Sequence, residues 1–332
     1  ANCGEPPGRT PGHRRFGEHV RALRLRLADG NIVEVDDTHE SELFRATLGG
    51  MGLTGHVLEV EFAMERIASP WIWQESERVA DFDTALERLE VAGRSWPYTV
   101  LWNDLMIDEP HLGRGLLMKG RWATPDEAPP QPPRWRAAPT LPIALPSWAL
   151  QPWMLAVGNR LNYWQHGARV RSGIEHPGTC FYPLDVLRQW NGLYGRRGFT
   201  QYQAVLPGPH LHPSHRRLLR TLRQRRGEVF LCVIKDCGPA GKGLLSYPRP
   251  GVSYAFDLPI GPNTQSVVDA LNEVVVEEGG RIYLAKDALT RPEHYRAMEG
   301  ERLQAFAAVR DKWDPQRRLK SALSVRLLGD VA

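Results

Sequence analysis

Cysteine is scarce in this chain. Four occur in 332 residues (Cys3, Cys180, Cys232 and Cys237), with no CxxC pair and no dense framework. That pattern excludes a disulfide-built scaffold and fits a reduced, cytosolic setting. Charge of one sign is also missing. Lys and Arg number 42 against 38 Asp and Glu, a net +4 too mild to imply nucleic acid as a partner. No secretory signal pattern is present at the N-terminus. The chain also lacks an apolar run fit to cross a bilayer. Residues Ala137 to Asn159 carry no charge, but Pro139, Pro142, Pro146 and Pro152 break the helix that a bilayer demands. What remains is ordinary: 42% hydrophobic and 24% charged residues, in a chain long enough for a sizeable core and two domains.

Tryptophan, by contrast, is abundant, with eleven residues. Trp135, Trp148 and Trp153 flank or sit in the uncharged stretch. Its prolines predict irregular backbone rather than helix. One reading is a proline-rich loop packed on the protein. The other is an interfacial segment, because tryptophan prefers the membrane boundary.

The densest local signal is Gly49-Gly50-Met51-Gly52-Leu53-Thr54-Gly55. Glycine here permits positive φ and close backbone approach to a bound group. A helix over Glu40 to Leu48 precedes it. A strand follows, with Leu58, Val60, Phe62 and Met64 on one face and Glu59, Glu61 and Glu65 on the other. Helix-glycine-strand is the reverse of the order in Walker and Rossmann loops, so neither applies.

Periodicity supplies the rest. Val20 to Leu27 and Asn31 to Val35 read as a hairpin about Ala28-Asp29-Gly30. Asp81 to Ala92 reads as an amphipathic helix burying Phe82, Ala85, Leu86 and Leu89, capped by Asp81 or Asp83. From Thr200 the pattern is strand (Thr200 to Leu206), helix (Pro213 to Arg226), strands (Val229 to Lys235, Ser253 to Ile260), helix (Thr264 to Glu278) and strand (Arg281 to Lys286). That β-α-β-β-α-β order predicts an antiparallel, ferredoxin-like sheet in an α+β protein. The unit also suits an RNA-binding module, but Ser253-Tyr254-Ala255-Phe256 lacks the full aromatic signature of one. His210-x-His212-x-x-His215 invites a metal, yet no carboxylate or cysteine stands at ligand spacing, and a surface loop is the plainer account. The helix with arginines 216, 217, 220, 223, 225 and 226 is a solvated face or a contact for phosphate or anionic membrane.

Several short motifs in one order carry a resemblance. They are Phe16-Gly17-Glu18-His19-Val20, Ala28-Asp29-Gly30, Glu42 to Thr47, Gly49 to Gly55, Pro183-Leu184-Asp185, Trp190-Asn191, Tyr194-Gly195, Gln201-Tyr202-Gln203, Gly279 to Asp287, Val309-Arg310 and Asp314-Pro315. Together they resemble the vanillyl-alcohol-oxidase-type FAD-binding flavoenzymes. Within that superfamily the likeness runs to the decaprenylphosphoryl-β-D-ribose 2-oxidases, the flavin half of an epimerase pair in cell-wall arabinan synthesis. The resemblance implies FAD as cofactor and oxidation of a sugar carbinol to a keto sugar on a polyprenyl-phosphate pentose. It also implies a short-chain reductase as partner, peripheral contact with the inner membrane face and no nucleic acid. An aldonolactone oxidase, which shares the C-terminal domain type, is the neighbouring alternative.

The same resemblance assigns residues. Lys286 lies beside the flavin and the substrate. Gln201 and Gln203, which alternation puts on one strand face, point into the substrate pocket. Lys235 contacts substrate phosphate, and Trp102 and Tyr283 wall the pocket. Gly49, Gly50, Gly52, Leu53, Thr54 and Gly55 approach the cofactor, and no metal is implied. It further divides the chain into a flavin-domain remnant (1–66), a substrate or cap domain (67–280) with a proline-rich loop (125–152), and a return segment (281–332). The likeness begins at Phe16. Ala1-Asn2 resembles a family lead-in, Cys3 to Arg15 do not match, and the family's N-terminal pyrophosphate loop has no counterpart. The expectation is the C-terminal part of a larger flavoenzyme or a copy damaged at its 5′ end. Two more departures fall at Phe181, where the family has tyrosine (here Tyr182 is one residue late), and at Ala255, where it has cysteine.

Overall fold

A computed structural model describes residues 16–135, 138–140, 152–167, 169–195 and 197–331. The segment 1–15, most of the uncharged stretch (137 and 141–151) and Trp148 lie outside the described residues.

A short helix α1 (Phe16–His19) leads into the hairpin β1 (Val20–Arg26) and β2 (Ile32–Asp36), which turns at Gly30 with φ 93°. Helix α2 (Ser41–Thr47) precedes the glycine run, and β3 (His56–Phe62) pairs antiparallel with the free side of β1. Leu23, Leu25, Leu43, Phe44 and Ala46 form a small core beneath this sheet. Strand β3 does not share fully in that burial. All seven residues are exposed, including Val57, Leu58, Val60 and Phe62, and the strand stops at Phe62, leaving Met64 in coil. The predicted one-sided burial is therefore absent among the described residues. Among the described residues only the Phe16 ring packs on an apolar side chain of the strand, 5.4 Å from that of Phe62.

The larger sheet has eight antiparallel strands in the order β11-β8-β10-β9-β5-β6-β4-β7. Its first half is β4 (Ile72–Val79), α3 (Phe82–Gly93), β5 (Tyr98–Asn103), β6 (Gly115–Trp122), α4 (Pro152–Gln165) and β7 (Val170–Glu175). A short α5 (Pro177–Phe181) leads to the second half: β8 (Phe199–Leu206), α6 (Pro213–Gln224), β9 (Cys232–Cys237), β10 (Gly251–Pro259), α7 (Thr264–Glu277) and β11 (Arg281–Ile282). The second half is the predicted ferredoxin-like unit. The first half repeats its strand order, and the two join edge to edge through β5 and β9. That repeat left no trace in the sequence because the long 123–169 excursion takes the place of a second short crossover helix. The chain ends with α8 (Pro292–Glu299), α9 (Glu301–Trp313) and α10 (Ala322–Leu328).

Strand alternation gives this sheet two faces. Helices α3, α6 and α7 cover one of them. Leu86, Leu89, Leu218, Leu222, Leu271 and Val275 pack there against Leu101, Ile234, Tyr254 and Phe256. Each such side chain contributes roughly 2 kcal/mol by leaving water. The α3 N-cap is Asp81, whose carboxylate accepts from Thr84 N at 2.9 Å. The opposite face carries no such helix layer; α4 and the β9–β10 connection lie against parts of it.

Three predicted elements need correction. Residues 152–165 are helical, because Pro152 stands at the helix start, where a missing N–H costs nothing. The strand expected over Val229 to Lys235 begins only at Cys232. Phe230 and Leu231 still bond Asp257, but outside the regular ladder. Lys235 thus lies inside β9 rather than at its end. The strand expected over Arg281 to Lys286 has two ladder residues. After Tyr283 N donates to Gln203 O (2.8 Å), the chain turns into a 3₁₀ turn over Leu284–Lys286. This last strand, just past residue 280, belongs to the large sheet.

Candidate active site

This opposite face, near β8, β10 and β9, gathers most of the sequence-predicted residues. Register places Gln203 opposite Ala255, Ala255 opposite Val233 and Val233 opposite Trp102, so these four make one row across four strands. Gln201 opposite Asp257, and Lys235 opposite Ser253, form the rows on either side.

Gln203 is buried. Its Nε2 donates to Ser253 Oγ (3.0 Å), and its Oε1 is buried without a partner. Ser253 Oγ also shares a 2.8 Å hydrogen bond with Tyr247 OH, and the Tyr247 ring lies 4.9 Å from that of Tyr283. An orphaned buried amide oxygen beside the Ser253–Tyr247 pair is a place where a donor outside the chain can bind.

Lys286 sits on the 3₁₀ turn beside this row, half-buried. Its sequence neighbour Asp287 is not its partner. That carboxylate takes Arg326 at 2.7 Å and the amide of Thr290 at 3.0 Å, which locks the turn. The carboxylate that feels the Lys286 charge is Asp257. Asp257 is 2% exposed and accepts from Tyr194 OH (2.6 Å) and Gln201 Nε2 (2.8 Å). Burial raises its pKa, against the lowering pull of Tyr194, Gln201 and Lys286. Sequence reasoning passed over Asp257 and Tyr194. The signal available was parity: Asp257 lies two residues after Ala255 on the same strand face.

The glycine run reaches this site through the β9–β10 connection. Gly49 approaches the Leu245 backbone, Gly243 lies against Leu48 O, and Leu244 N donates to Arg45 O. Tyr247 follows directly. Within the run, Gly49 and Gly52 have φ of 81° and 78°. The amides of Gly50 and Leu53 donate inside the turn, Leu53 is buried, and Thr54 Oγ1 meets Thr47 Oγ1 at 2.9 Å. A side chain at Gly52 would meet nothing within 4 Å, so this is the open edge of the run. At the ring end the donor set fits a flavin. A lysine cation, an amide whose oxygen has no partner and a tyrosine-serine pair lie together, and Gly52 leaves its backbone bare. Lys286, Gln203 and Gly52 would hold it.

The departures have structural consequences. Phe181 packs edge-on against Tyr98 (5.0 Å) and near Trp122 (5.7 Å). Tyr182 lines a different groove of 970 Å³ with Trp71, Trp135, His176 and Asp185. Ala255 leaves the centre of the Gln203 row without a polar atom.

The histidine motif starts in a surface loop, where Leu211 and His212 are exposed, but His210 and His215 turn inward. His215 is fully buried, its Nε2 lies 3.0 Å from Pro209 O, and burial lowers its pKa to about 4. His212 caps α6 by accepting from Ser214 N, and His210 is buried 3.4 Å from Asp236. Three of the six arginines of the basic segment are paired. Arg216 pairs with Asp83, Arg217 with Glu277 and Glu278, and Arg223 with Asp108. Tyr254 and Phe256 are buried under the helices, so the RNA-type reading loses its aromatic platform.

A small three-stranded sheet accompanies a large eight-stranded antiparallel sheet, with Lys286, Gln201 and Gln203 gathered at one face of the large sheet. No protein-family model matches the chain. Decaprenylphosphoryl-beta-D-ribose oxidase of Mycolicibacterium smegmatis is 29% identical over 320 residues, 94% of this chain and 69% of that protein. An uncharacterized protein in the mprA 5′ region of Streptomyces coelicolor is 30% identical over 332 residues, 96% of this chain and 89% of that protein. Xylooligosaccharide oxidase from Myceliophthora thermophila C1, solved with xylobiose, superposes with a TM-score of 0.58 at 12% identity, covering 93% of this chain and 66% of that one. The chain is thus similar in sequence to an oxidase of decaprenylphosphoryl ribose, and it shares the fold of carbohydrate oxidases. It spans about two thirds of the length of the oxidases it matches.

Proposed function

We propose that this chain provides the substrate face of an FAD-dependent oxidase that converts a carbinol of a polyprenyl-phosphate pentose to a ketone. The observation that carries the reading is the gathering of Lys286, Gln201, Gln203, Lys235 and Asp257 on one sheet face. When bound, FAD supplies the hydride acceptor. Lys286 holds a cation where negative charge builds, which is worth most in a water-poor site. Asp257 restrains Gln201 through its Nε2 and balances Lys286, keeping one amide aimed at sugar hydroxyls. Gln203 Oε1 accepts from a second hydroxyl. Lys235, one row away, suits the phosphate. The product keto sugar calls for a reductase, and a short-chain reductase completing an epimerisation is the partner this chemistry fits.

The bare apolar residues of β3 support a further part of the proposal: additional polypeptide covers that sheet and completes cofactor binding. Four large side chains left in water on one strand are a surface that wants a partner. An aldonolactone oxidase remains the second reading, favoured by Ala255, which removes a polar group from the pocket centre.

The test is substrate choice. Flavin-loaded protein is mixed anaerobically with a polyprenyl-phosphoryl ribose, an aldonolactone or xylobiose. Bleaching by the first alone is expected. Bleaching by the aldonolactone alone moves the assignment to the second reading, and no bleaching by any of them removes both.

A further inference from the structure

Helix α4 is held to this same face of the large sheet along one side only. Asn159 Nδ2 donates to Asp104 Oδ1 at 3.0 Å, and Tyr163 lies over Arg114 (4.9 Å) and Arg78 (5.5 Å). The outer side is apolar and largely exposed, with Trp164 at its edge also beneath Arg78 at 4.9 Å. Trp153 is 65% exposed, Val157 51%, Leu161 55% and Trp164 55%. At about 100° per residue these four and Arg160 fall within an arc of about 100°, and the two tryptophans stand about 16 Å apart along the axis. Single exposed apolar residues are normal, whereas a continuous stripe marks an interaction surface.

Charge identifies what the stripe meets. The 47 residues from 128 to 174 contain no Asp or Glu, five arginines and four tryptophans. Arg134, Arg160, Arg169 and Arg171 are exposed, and among the described residues none is paired with a carboxylate. The strand after α4 is β7, the sheet edge, where Val170 is exposed between Arg169 and Arg171. A second copy docking here would set these arginines against each other with no acid to pair them. A bilayer imposes no such conflict. A helix with tryptophan and aliphatic residues on one arc and arginine beside them lies in the interface plane, and anionic headgroups take the arginines.

We infer that the outer stripe of α4, with Arg160, Arg169 and Arg171, docks this protein on an anionic lipid surface. The α6 arginines cannot share this contact, because α6 covers the opposite face of the sheet, and three of the six, Arg216, Arg217 and Arg223, are already paired. The inference is independent of the oxidation chemistry, since plain vesicles test it.

The experiment is co-sedimentation of the full chain with vesicles of phosphatidylglycerol in phosphatidylcholine, against phosphatidylcholine alone. The expected result is binding to the anionic vesicles that weakens with salt, with a blue shift of tryptophan emission. Trp153→Ser/Leu161→Ser lowers the partition coefficient by about tenfold or more. Arg160→Glu lowers it on anionic vesicles only. Far-UV circular dichroism and gel filtration verify that both variants are folded. Equal partitioning of wild type and the double variant would overturn the inference. So would a wild type that ignores vesicles and instead forms a concentration-dependent dimer lost in the double variant.

Discussion

The glycine run makes two separable demands, and single alanine substitutions distinguish them. At Gly50 an added Cβ would lie 2.1 Å from Ala46 O and 3.1 Å from the Phe306 ring. Ala46 O belongs to the last turn of α2, and Phe306 is fully buried on α9. Neither is the loose end of a flexible side chain, so relief requires moving one helix against another. Overpacking of this kind costs about 3 kcal/mol. At Gly52 the added atom would meet nothing within 4 Å, and only the φ of 78° is penalised. That strain costs about 1 kcal/mol. The gap of about 2 kcal/mol is a factor of about 30 in the folding equilibrium. Urea denaturation of Gly50→Ala and Gly52→Ala measures it directly. Gly52→Ala should also weaken FAD retention beyond its stability loss, because it adds bulk at the bare edge. Equal destabilisation by the two substitutions, or a larger effect at Gly52, would show that the packing account of this turn is wrong.

Lys286→Ala should slow flavin reduction about a hundredfold or more while leaving the unfolding midpoint nearly unchanged; a near-wild-type anaerobic reduction rate removes Lys286 from the site. His215, held to about 4 by burial, binds fewer protons folded than unfolded below its ordinary value near 6.5. Its contribution is therefore complete above pH about 6.5 and lost as pH falls toward 4, up to about 3 kcal/mol. His215→Leu should flatten the stability slope over that window, and an unchanged slope refutes the assignment. Asp330→Ala strands Arg310, whose side chain is 3% exposed and pairs with Asp330 at 2.9 Å. The expected loss is about 3 to 5 kcal/mol, with partial recovery in Arg310→Met/Asp330→Ala; a loss under about 1 kcal/mol contradicts the buried-pair account.

Much of the cap sheet was legible from periodicity. Strands with Tyr202, Ala204 and Leu206, or Tyr254, Phe256 and Leu258, alternate cleanly, and α6 and α7 carry leucine and valine stripes that have to be buried. The internal repeat was not legible. It lives in strand order, and β4, β5 and β6 share no residue pattern with β8, β9 and β10. Lys286 was found as a residue but misplaced as a local structure, because Asp287 and Arg326 bend the chain where the sequence reads as continuing strand. Asp257 was missed because an aspartate in a strand looks like a surface residue until its two buried donors, Tyr194 and Gln201, come together from separate segments. The α4 helix was missed for a simple reason. Four prolines obscured the fact that the last of them occupies a helix start.

In the proposed oxidation a carbinol hydrogen leaves the pentose as hydride on this face of the large sheet. The most direct measurement is stopped-flow bleaching of the bound flavin by a polyprenyl-phosphoryl ribose carrying deuterium at C2, compared with the unlabelled substrate. Slower bleaching with the labelled compound and a 2-keto sugar as product are expected. Bleaching at the same rate with both, with oxidation found at another carbon, would contradict the proposed oxidation.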